Sequence, residues 1–420
     1  MKIFAIVVFV LVMGAIMTEK LHRATAALAG AVLLVICGVM TGKQAIGYID
    51  FNTIGVLVGM MIVVAVIRTT GMFEYISIKA AKAAKGDPWK ILIAFVLITA
   101  ILSAFLDNVT TVLLVGPMSI AIARMLEINP VPFLMMQILA SNVGGTATMI
   151  GDPPNIMIGS ASGLSFMDFI TNTGAAAVLI IIAQIIVMKF LYKKQLESGP
   201  INKTSVMNLD PDKSITNRKL MKQSIAVMVL VVIGFVIHDK LGFDSCMIAL
   251  GAAAIMLIIG HQEVDQIISE VEWTTIVFFM SLFVVVGGLE RTGVIHSISS
   301  WLISATEGHY ILTMLVLLWA SALLSSVLDN IPFVATLIPL VLTMQQQGMN
   351  VEAFWWAISL GACLGGNGTM IGASANVVLS DIANKHGYPI TFKSYLRVGF
   401  PFMLMSVGIA TVFLLVRYAL

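Results

Sequence analysis

Residues 144–155 read GGTATMIGDPPN and residues 365–376 read GGNGTMIGASAN, the same run twice at a displacement of 221. The two runs interrupt apolar stretches at about 133–160 and 353–380. Their glycines let the backbone leave helical geometry. In the first copy, Pro153 and Pro154 allow a helix to restart but not to run through. Thr146, Thr148, Asp152 and Asn155, answered by Asn367, Thr369, Ser374 and Asn376, put hydroxyls, amides and one carboxylate inside apolar runs. Two broken helices at matching places are thus expected, one per half of the chain. Such a pair is the best sequence pointer to an ion or substrate site at the bilayer midplane.

The same register extends outward from the breaks. Asp107-Asn108 recurs as Asp329-Asn330, residues 50–54 (DFNTI) as 272–276 (EWTTI), and Thr70-Gly71 as Thr292-Gly293, all displaced by 222. Only 11% of the 420 residues are charged and 59% are hydrophobic, against about 25% charged in soluble domains. So little charge cannot cover so much hydrocarbon in water, and the chain reads as an integral membrane protein. The net charge of +2 points to no nucleic-acid partner. Cys37, Cys246 and Cys363 lie in apolar runs at spacings that suit neither a zinc site nor a disulfide framework, and no cofactor is implied.

Ten apolar runs are long enough to span, given flanking residues. Two further pairs, 90–105 with 109–123 and 310–327 with 331–344, are separated only by Leu-Asp-Asn. Arms of about 16 residues reach about 24 Å, so these pairs read as re-entrant hairpins with Asp107 and Asp329 at their tips. The expected fold is all-α and polytopic, in two inverted repeats of five spanning helices plus one hairpin each. The first repeat covers 1–192, with a hairpin near 90–124 and a broken helix at 133–160. A polar linker follows at 193–224, and the second repeat covers 225–420, with a hairpin near 310–345 and a broken helix at 353–380. In this arrangement 19 of the 24 Lys and Arg fall on one face, which makes the linker cytoplasmic and both termini external. The lysines Lys79, Lys82 and Lys85 mark a short amphipathic stretch expected to lie on the lipid surface.

The tips admit a plain reading, in which Asp107 and Asp329 only cap helices, and a functional one. Each tip repeats Asp-Asn with threonines close by, Thr110 and Thr111 in the first and Thr336 in the second. Asp107, Asn108, Asp329 and Asn330 form a candidate sodium site, with Thr110 beside it. Asp152 has Ala373 as its counterpart, so the three carboxylates are not symmetric. No Lys, Arg or His lies in a break or tip, which leaves the sign of the cargo open. A buried carboxylate can load a proton on one side and release it on the other.

The runs L-D-N, S-N-V-G-G-T-A-T-M-I-G-D-P-P-N-I-M-I-G and G-G-N-G-T-M-I-G-A-S-A-N-V-V resemble the arsenite permease and sodium/proton antiporter (ArsB/NhaD) family of the ion transporter superfamily. The stretch 360–401, with H-G-Y-P-I-T-F, is similar to the branch holding the melanosomal P protein. The resemblance implies a scaffold, a transport domain that moves as an elevator, a homodimer, and site residues at the two tips and two breaks. Sodium-coupled dicarboxylate relatives carry Ser-Asn-Thr at these tips, whereas this chain has Asp-Asn-Val and Asp-Asn-Ile. The resulting expectation is a secondary active transporter in the inner or plasma membrane, among lipid, moving a small inorganic or organic ion. Arsenite- or antimonite-type efflux leads, driven by a proton or sodium gradient. Sodium/proton antiport, sodium-coupled carboxylate or other anion transport, and a passive anion channel are the alternatives. An intramembrane aspartyl protease using Asp107 and Asp329 is the rival from another class.

Overall fold

The structure, a computed structural model, describes residues 1–18, 21–197 and 202–419. The first helices are α1 (Lys2–Thr18), α2 (Arg23–Ile36), the short α3 (Gly42–Gly47) and α4 (Phe51–Arg68). Then come α5 (Met72–Ala83), the pair α6 (Pro88–Ser103) and α7 (Asn108–Met125), α8 (Val131–Thr146) and α9 (Pro153–Ser162). A last segment runs from α10 (Phe166–Phe169) through a π turn (Ile170–Gly174) into α11 (Ala175–Glu197).

After α12 (Lys203–Met207) and a 3-10 turn (Pro211–Ser214) the succession returns. It runs α13 (Arg218–Leu241), α14 (Ser245–Gly260), α15 (Val264–Ser269), α16 (Trp273–Arg291) and α17 (Val294–Ala305). The pair α18 (Tyr310–Ser325) and α19 (Asn330–Gln346) follows, then α20 (Glu352–Gly365), α21 (Ser374–Lys385) and α22 (Phe392–Tyr418).

Local chemistry sets these boundaries. The Asp50 carboxylate accepts the Asn52 and Thr53 amides at the start of α4, and Asp87 with Pro88 opens α6. Both are side chains that satisfy or dispense with the orphan N–H groups of a first turn. Gly71 precedes α5 at φ +75°, where a Cβ would fall 1.8 Å from the Ser214 carbonyl oxygen. Only glycine fits there.

The chain is an all-helical polytopic membrane protein. Among the described residues six helices are long and apolar enough to cross a bilayer: Phe51–Arg68, Asn108–Met125, Phe166–Lys194, Arg218–His238, Trp273–Arg291 and Phe392–Tyr418. Others, such as Arg23–Ile36 and Ser245–Gly260, are shorter. The two halves interlock, for α2 packs on α16, α4 on α14, α7 on α21 and α9 on α19. At the centre lie α8 and α20, where every residue from Pro132 to Thr146 and from Ala353 to Gly365 is buried. The rim helices instead present large apolar side chains outward, with Phe190 82% and Ile36 75% exposed. A hydrocarbon solvent accepts such side chains, and water would not.

Within the polar stretch at 193–224, α11 continues to Glu197 and the part after residue 201 folds back on the body. Lys82 donates to the Leu209 carbonyl at 2.5 Å, the Thr216 amide to the Thr70 carbonyl at 3.1 Å, and Val206 is fully buried. The amphipathic helix α5 therefore lies under this segment rather than bare on a lipid surface, since the 3-10 turn packs against it.

Candidate functional site

Both apolar pairs turn at their aspartates. Asp107 caps α7 by accepting the Val109 and Thr110 amides at 3.2 and 2.9 Å and the Thr110 hydroxyl at 2.7 Å. Asp329 caps α19 by accepting the Ile331 amide at 3.2 Å. The plain capping reading is thus correct as far as it goes, and one carboxylate oxygen of Asp329 has further partners.

The breaks span residues 147–152 and 366–373, between α8 and α9 and between α20 and α21. Each is laced internally by the asparagine at its far end. Asn155 donates to the carbonyls of Thr146 and Thr148 at 3.2 and 2.9 Å, and its own oxygen accepts the Ser359 hydroxyl at 2.6 Å. Asn376 donates to Gly366 and Thr369 carbonyls at 2.7 and 2.9 Å. The hydroxyls of Thr148 and Thr369 go to the carbonyls of Ala104 and Ser326, and that of Thr146 to the Asn142 carbonyl at 2.7 Å. The two asparagines hold backbone that has left the helix and the Thr148 and Thr369 hydroxyls tie the breaks to the ends of α6 and α18, as buried carbonyls require, while Thr146 bonds back within the last turn of α8.

The breaks are also fastened to the pairs that precede them. Ser103 donates to the Ser141 carbonyl and Ser325 to the Ala362 carbonyl, both at 2.7 Å. A Cβ on Gly144 would sit 2.2 Å from the Ala100 oxygen, and one on Gly365 would sit 2.5 Å from the Ala322 oxygen. Backbone thus lies directly on backbone between α6 and α8 and between α18 and α20.

At the centre Asn142 joins three elements. It accepts from the Asn108 amide at 3.1 Å and donates to the oxygens of Asn367 and Asn376 at 2.9 Å each. One residue of α8 thereby ties the first tip to the second break. Asn330, at the second tip, donates to both oxygens of Asp152 at 3.3 and 3.1 Å. Asp152 is 1% exposed.

Asp107, Asn108, Asp152, Asn330 and Ser374 converge on one small cavity of about 20 Å³, joined by Arg23, Glu272 and Thr275. Arg23, on the first turn of α2, donates to Asp329 at 3.1 Å, to the Ser374 hydroxyl at 2.7 Å and to the Thr275 hydroxyl at 3.2 Å. Thr275 in turn donates to Glu272 at 2.9 Å. Ser374 donates to the same Asp329 oxygen at 3.2 Å.

A wider cleft of about 400 Å³ lies alongside, lined by His22, Arg23, Asp329, Ser374 and apolar side chains. A third space of about 70 Å³ leads from Thr110 and Glu272 toward Arg68 and Glu270, which pair at 3.1 Å and are half exposed.

The tips and breaks therefore meet, as the sequence suggests. Asp107, Asn108, Asp152, Asn330 and Ser374 face the cavity, while Thr148, Asn155, Thr369 and Asn376 brace the breaks, Thr146 bonds back within α8 and Asn367 accepts from Asn142. Thr110 lies behind Asp107. Residues missed by sequence reasoning are Arg23, Glu272, Thr275 and Asn142. Glu272 and Thr275 stand inside the repeated 272–276 run, and Asn142 precedes the first glycine pair. Arg23 carries no local signal, because the fold alone brings it from residue 23 to residue 329.

Known proteins supply the context for this geometry. A family profile described as CitMHS, citrate transporter, matches residues 13–361. An uncharacterized transporter of Mycobacterium tuberculosis is 40% identical over 427 residues, covering 100% of this chain and 99% of that one. The 46 kDa membrane protein of Mycobacterium leprae is 37% identical, with the same coverage. The P protein of Mus musculus is 32% identical over 96% of this chain and 59% of its own length. In structure the chain is similar to the YdaH transporter of Alcanivorax borkumensis, with a TM-score of 0.62 at 14% identity over 92% of this chain and 88% of that one. The protein is a transporter and not an enzyme, which removes the protease alternative. By family profile and full-length relatives alike, the chain belongs to the CitMHS family of the ion transporter superfamily, to which the ArsB/NhaD proteins also belong.

Proposed function

We propose that this secondary transporter is driven by a proton or sodium gradient, with the 20 Å³ cavity as its coupling-ion site. The observation that carries the reading is the cavity itself. Three carboxylates line it, Asp107, Asp152 and Glu272, and its one guanidinium is already paired with a fourth, Asp329. Its volume suits one water-sized occupant, for which about 10–15 Å³ suffices. Excess negative charge in so small a space favours a proton or a bare sodium ion over an anion.

For cargo, the same chemistry favours species that need no cationic partner. Arsenite and antimonite are neutral hydroxides at neutral pH, and sodium is itself a cation; efflux of the former and sodium/proton exchange are the two leading cargo readings. A carboxylate such as citrate has a specific foothold too, since Arg23 and Ser374 line the 400 Å³ cleft. It would meet Asp329 at the same point.

In this reading residues 1–192 and 225–420 are inverted repeats joined by a cytoplasmic linker at 193–224, with external termini and re-entrant pairs α6–α7 and α18–α19. The pairs, the breaks and α11 and α22 form a body that moves as an elevator against the remaining helices in a homodimer. The recurring helix succession and the fastening of pairs to breaks support it. Purified protein in liposomes, screened against arsenite, antimonite, sodium and citrate under imposed proton and sodium gradients, tests the proposal. Concentrative flux of arsenite, antimonite or sodium that collapses with the gradient is expected. Citrate transport indifferent to both gradients, or flux that never concentrates its substrate, would overturn it.

A further inference from the structure

Arg23 differs from the tip and break carboxylates around the cavity in the element that carries it, and shares its side of the cavity with Glu272, the residue that precedes α16. Asp107 and Asp329 belong to the tips of the helix pairs and Asp152 to the first break, whereas Arg23 opens α2, a helix packed on α1 and α16. Its guanidinium is held from three sides, by Asp329 at 3.1 Å, Ser374 at 2.7 Å and Thr275 at 3.2 Å. The Phe278 ring lies beneath it, 5.3 Å from carbon to centroid.

This arrangement occurs once. The matching residue of the other half is Ser245, which donates to Asn52 instead. Glu272 faces Arg23 through Thr275, Asp107 and Asp152 lie across the cavity, and His22 is its chain neighbour.

A fixed guanidinium on Asp329 and a mobile cation at the same carboxylate exclude each other, since each would neutralise the one charge at contact distance. We propose that Arg23 is a tethered counter-ion. It occupies Asp329 when no coupling cation is bound and cedes it when one binds, so that cation occupancy unlatches the second tip from α2. This rests on the coupling-ion reading of the cavity and adds to it Asp329, which borders the adjoining 400 Å³ cleft and is paired with the Arg23 that lines both spaces. The anchors to Ser374 and Thr275 make the exchange specific, because they place the guanidinium where it reaches only one of the tip carboxylates. Linkage then requires that whatever weakens the Arg23 contact strengthens cation binding by the same factor.

The test measures the concentration of sodium chloride, against choline chloride at fixed pH, that half-saturates thermal stabilisation of the purified protein. A pH series in choline chloride supplies the proton as the alternative cation. Arg23→Gln is expected to lower the half-saturating concentration about tenfold, and Thr275→Val, which removes one anchor, to lower it by a smaller factor. Asp329→Asn, which keeps a capping side chain, should abolish the difference between Arg23→Gln and the native chain. Should Arg23→Gln fail to fold, Arg23→Lys, with a compact cation that cannot bridge three partners, carries the same expected direction alongside Thr275→Val.

An unchanged or raised half-saturating concentration in Arg23→Gln or in Arg23→Lys overturns the tethered counter-ion and leaves the coupling-ion site standing. A native protein that responds to neither sodium nor protons overturns both.

Discussion

Replacing Asn142 with alanine removes three hydrogen bonds at once, and the structure allows their loss to be sized. Asn142 is 1% exposed, and its partners Asn108, Asn367 and Asn376 are each at most 5% exposed. After truncation the Asn108 amide loses its acceptor, and the Asn367 and Asn376 oxygens lose their donor. A buried polar atom left without a partner costs about 1–3 kcal/mol, so three together cost about 3–6 kcal/mol if some relaxation occurs. The comparison is Cys363→Ala at the position matching Asn142 in the second half. The Cys363 thiol is a weak donor that reaches Asn155 at 3.7 Å and also lies against Asp152 and Thr146, and its loss should cost less than about 2 kcal/mol. The assay is unfolding of the purified protein in detergent, with transport in liposomes alongside. Asn142→Ala should be far the less stable of the two, and its transport should fall by more than tenfold because the first tip is no longer tied to the second break. An Asn142→Ala protein as stable as Cys363→Ala would refute the assignment of Asn142 as the hub.

Three further outcomes are expected. Gly144→Ala and Gly365→Ala place a methyl within 2.5 Å of a helix carbonyl and should each destabilise by about 1–3 kcal/mol or more. Gly14→Ala, with nothing within 4 Å of the added atom, should be neutral in the same melting assay. Asp107→Asn keeps the size and capping ability of the side chain and Asp152→Asn keeps its size and one acceptor for Asn330, while both remove a charge, so coupled flux should fall at least tenfold with yield and melting temperature largely preserved; native flux in both would remove the carboxylates from the mechanism. Cysteines at Lys203 and Lys385 should be labelled only from the cytoplasm and one at Glu307 only from outside, and labelling of residues 203 and 307 from one side would end the inverted arrangement.

The fold was legible wherever composition or repetition forced it. Gly-Gly followed by Pro-Pro cannot run on as a regular helix inside an apolar stretch, and the breaks fall at 147–152 and 366–373 as those residues and their repeat imply. Asp-Asn between two short apolar arms marked both turns in the same way. The roles within the site were less legible, because sequence shows which side chains are polar but not what they bond. Asn155 and Asn376 look like ligands in the sequence, yet their amides lace the breaks. Asn52 looks like an ordinary helix start, yet it links α4 to Ser160 and to the start of α14. Arg23 was readable only as a basic residue at a membrane edge, since its encounter with Asp329 depends on how α2 docks across the chain.

The backbone contact at Gly144 and Gly365 bears on how the site opens. In some carriers a hairpin swings like a flap to uncover its cargo, which needs a layer of side chains that can slide and repack. Here that layer is interrupted near each break: α6 and α18 lie against Gly144 of α8 and Gly365 of α20 with carbonyl oxygens where a Cβ would be, and Ser103 and Ser325 pin the same faces. Lifting either helix pair alone would strip the buried Ser141 or Ala362 carbonyl of its hydroxyl partner. If the site opens as proposed above, this packing predicts that each tip moves with the break it is fastened to rather than alone.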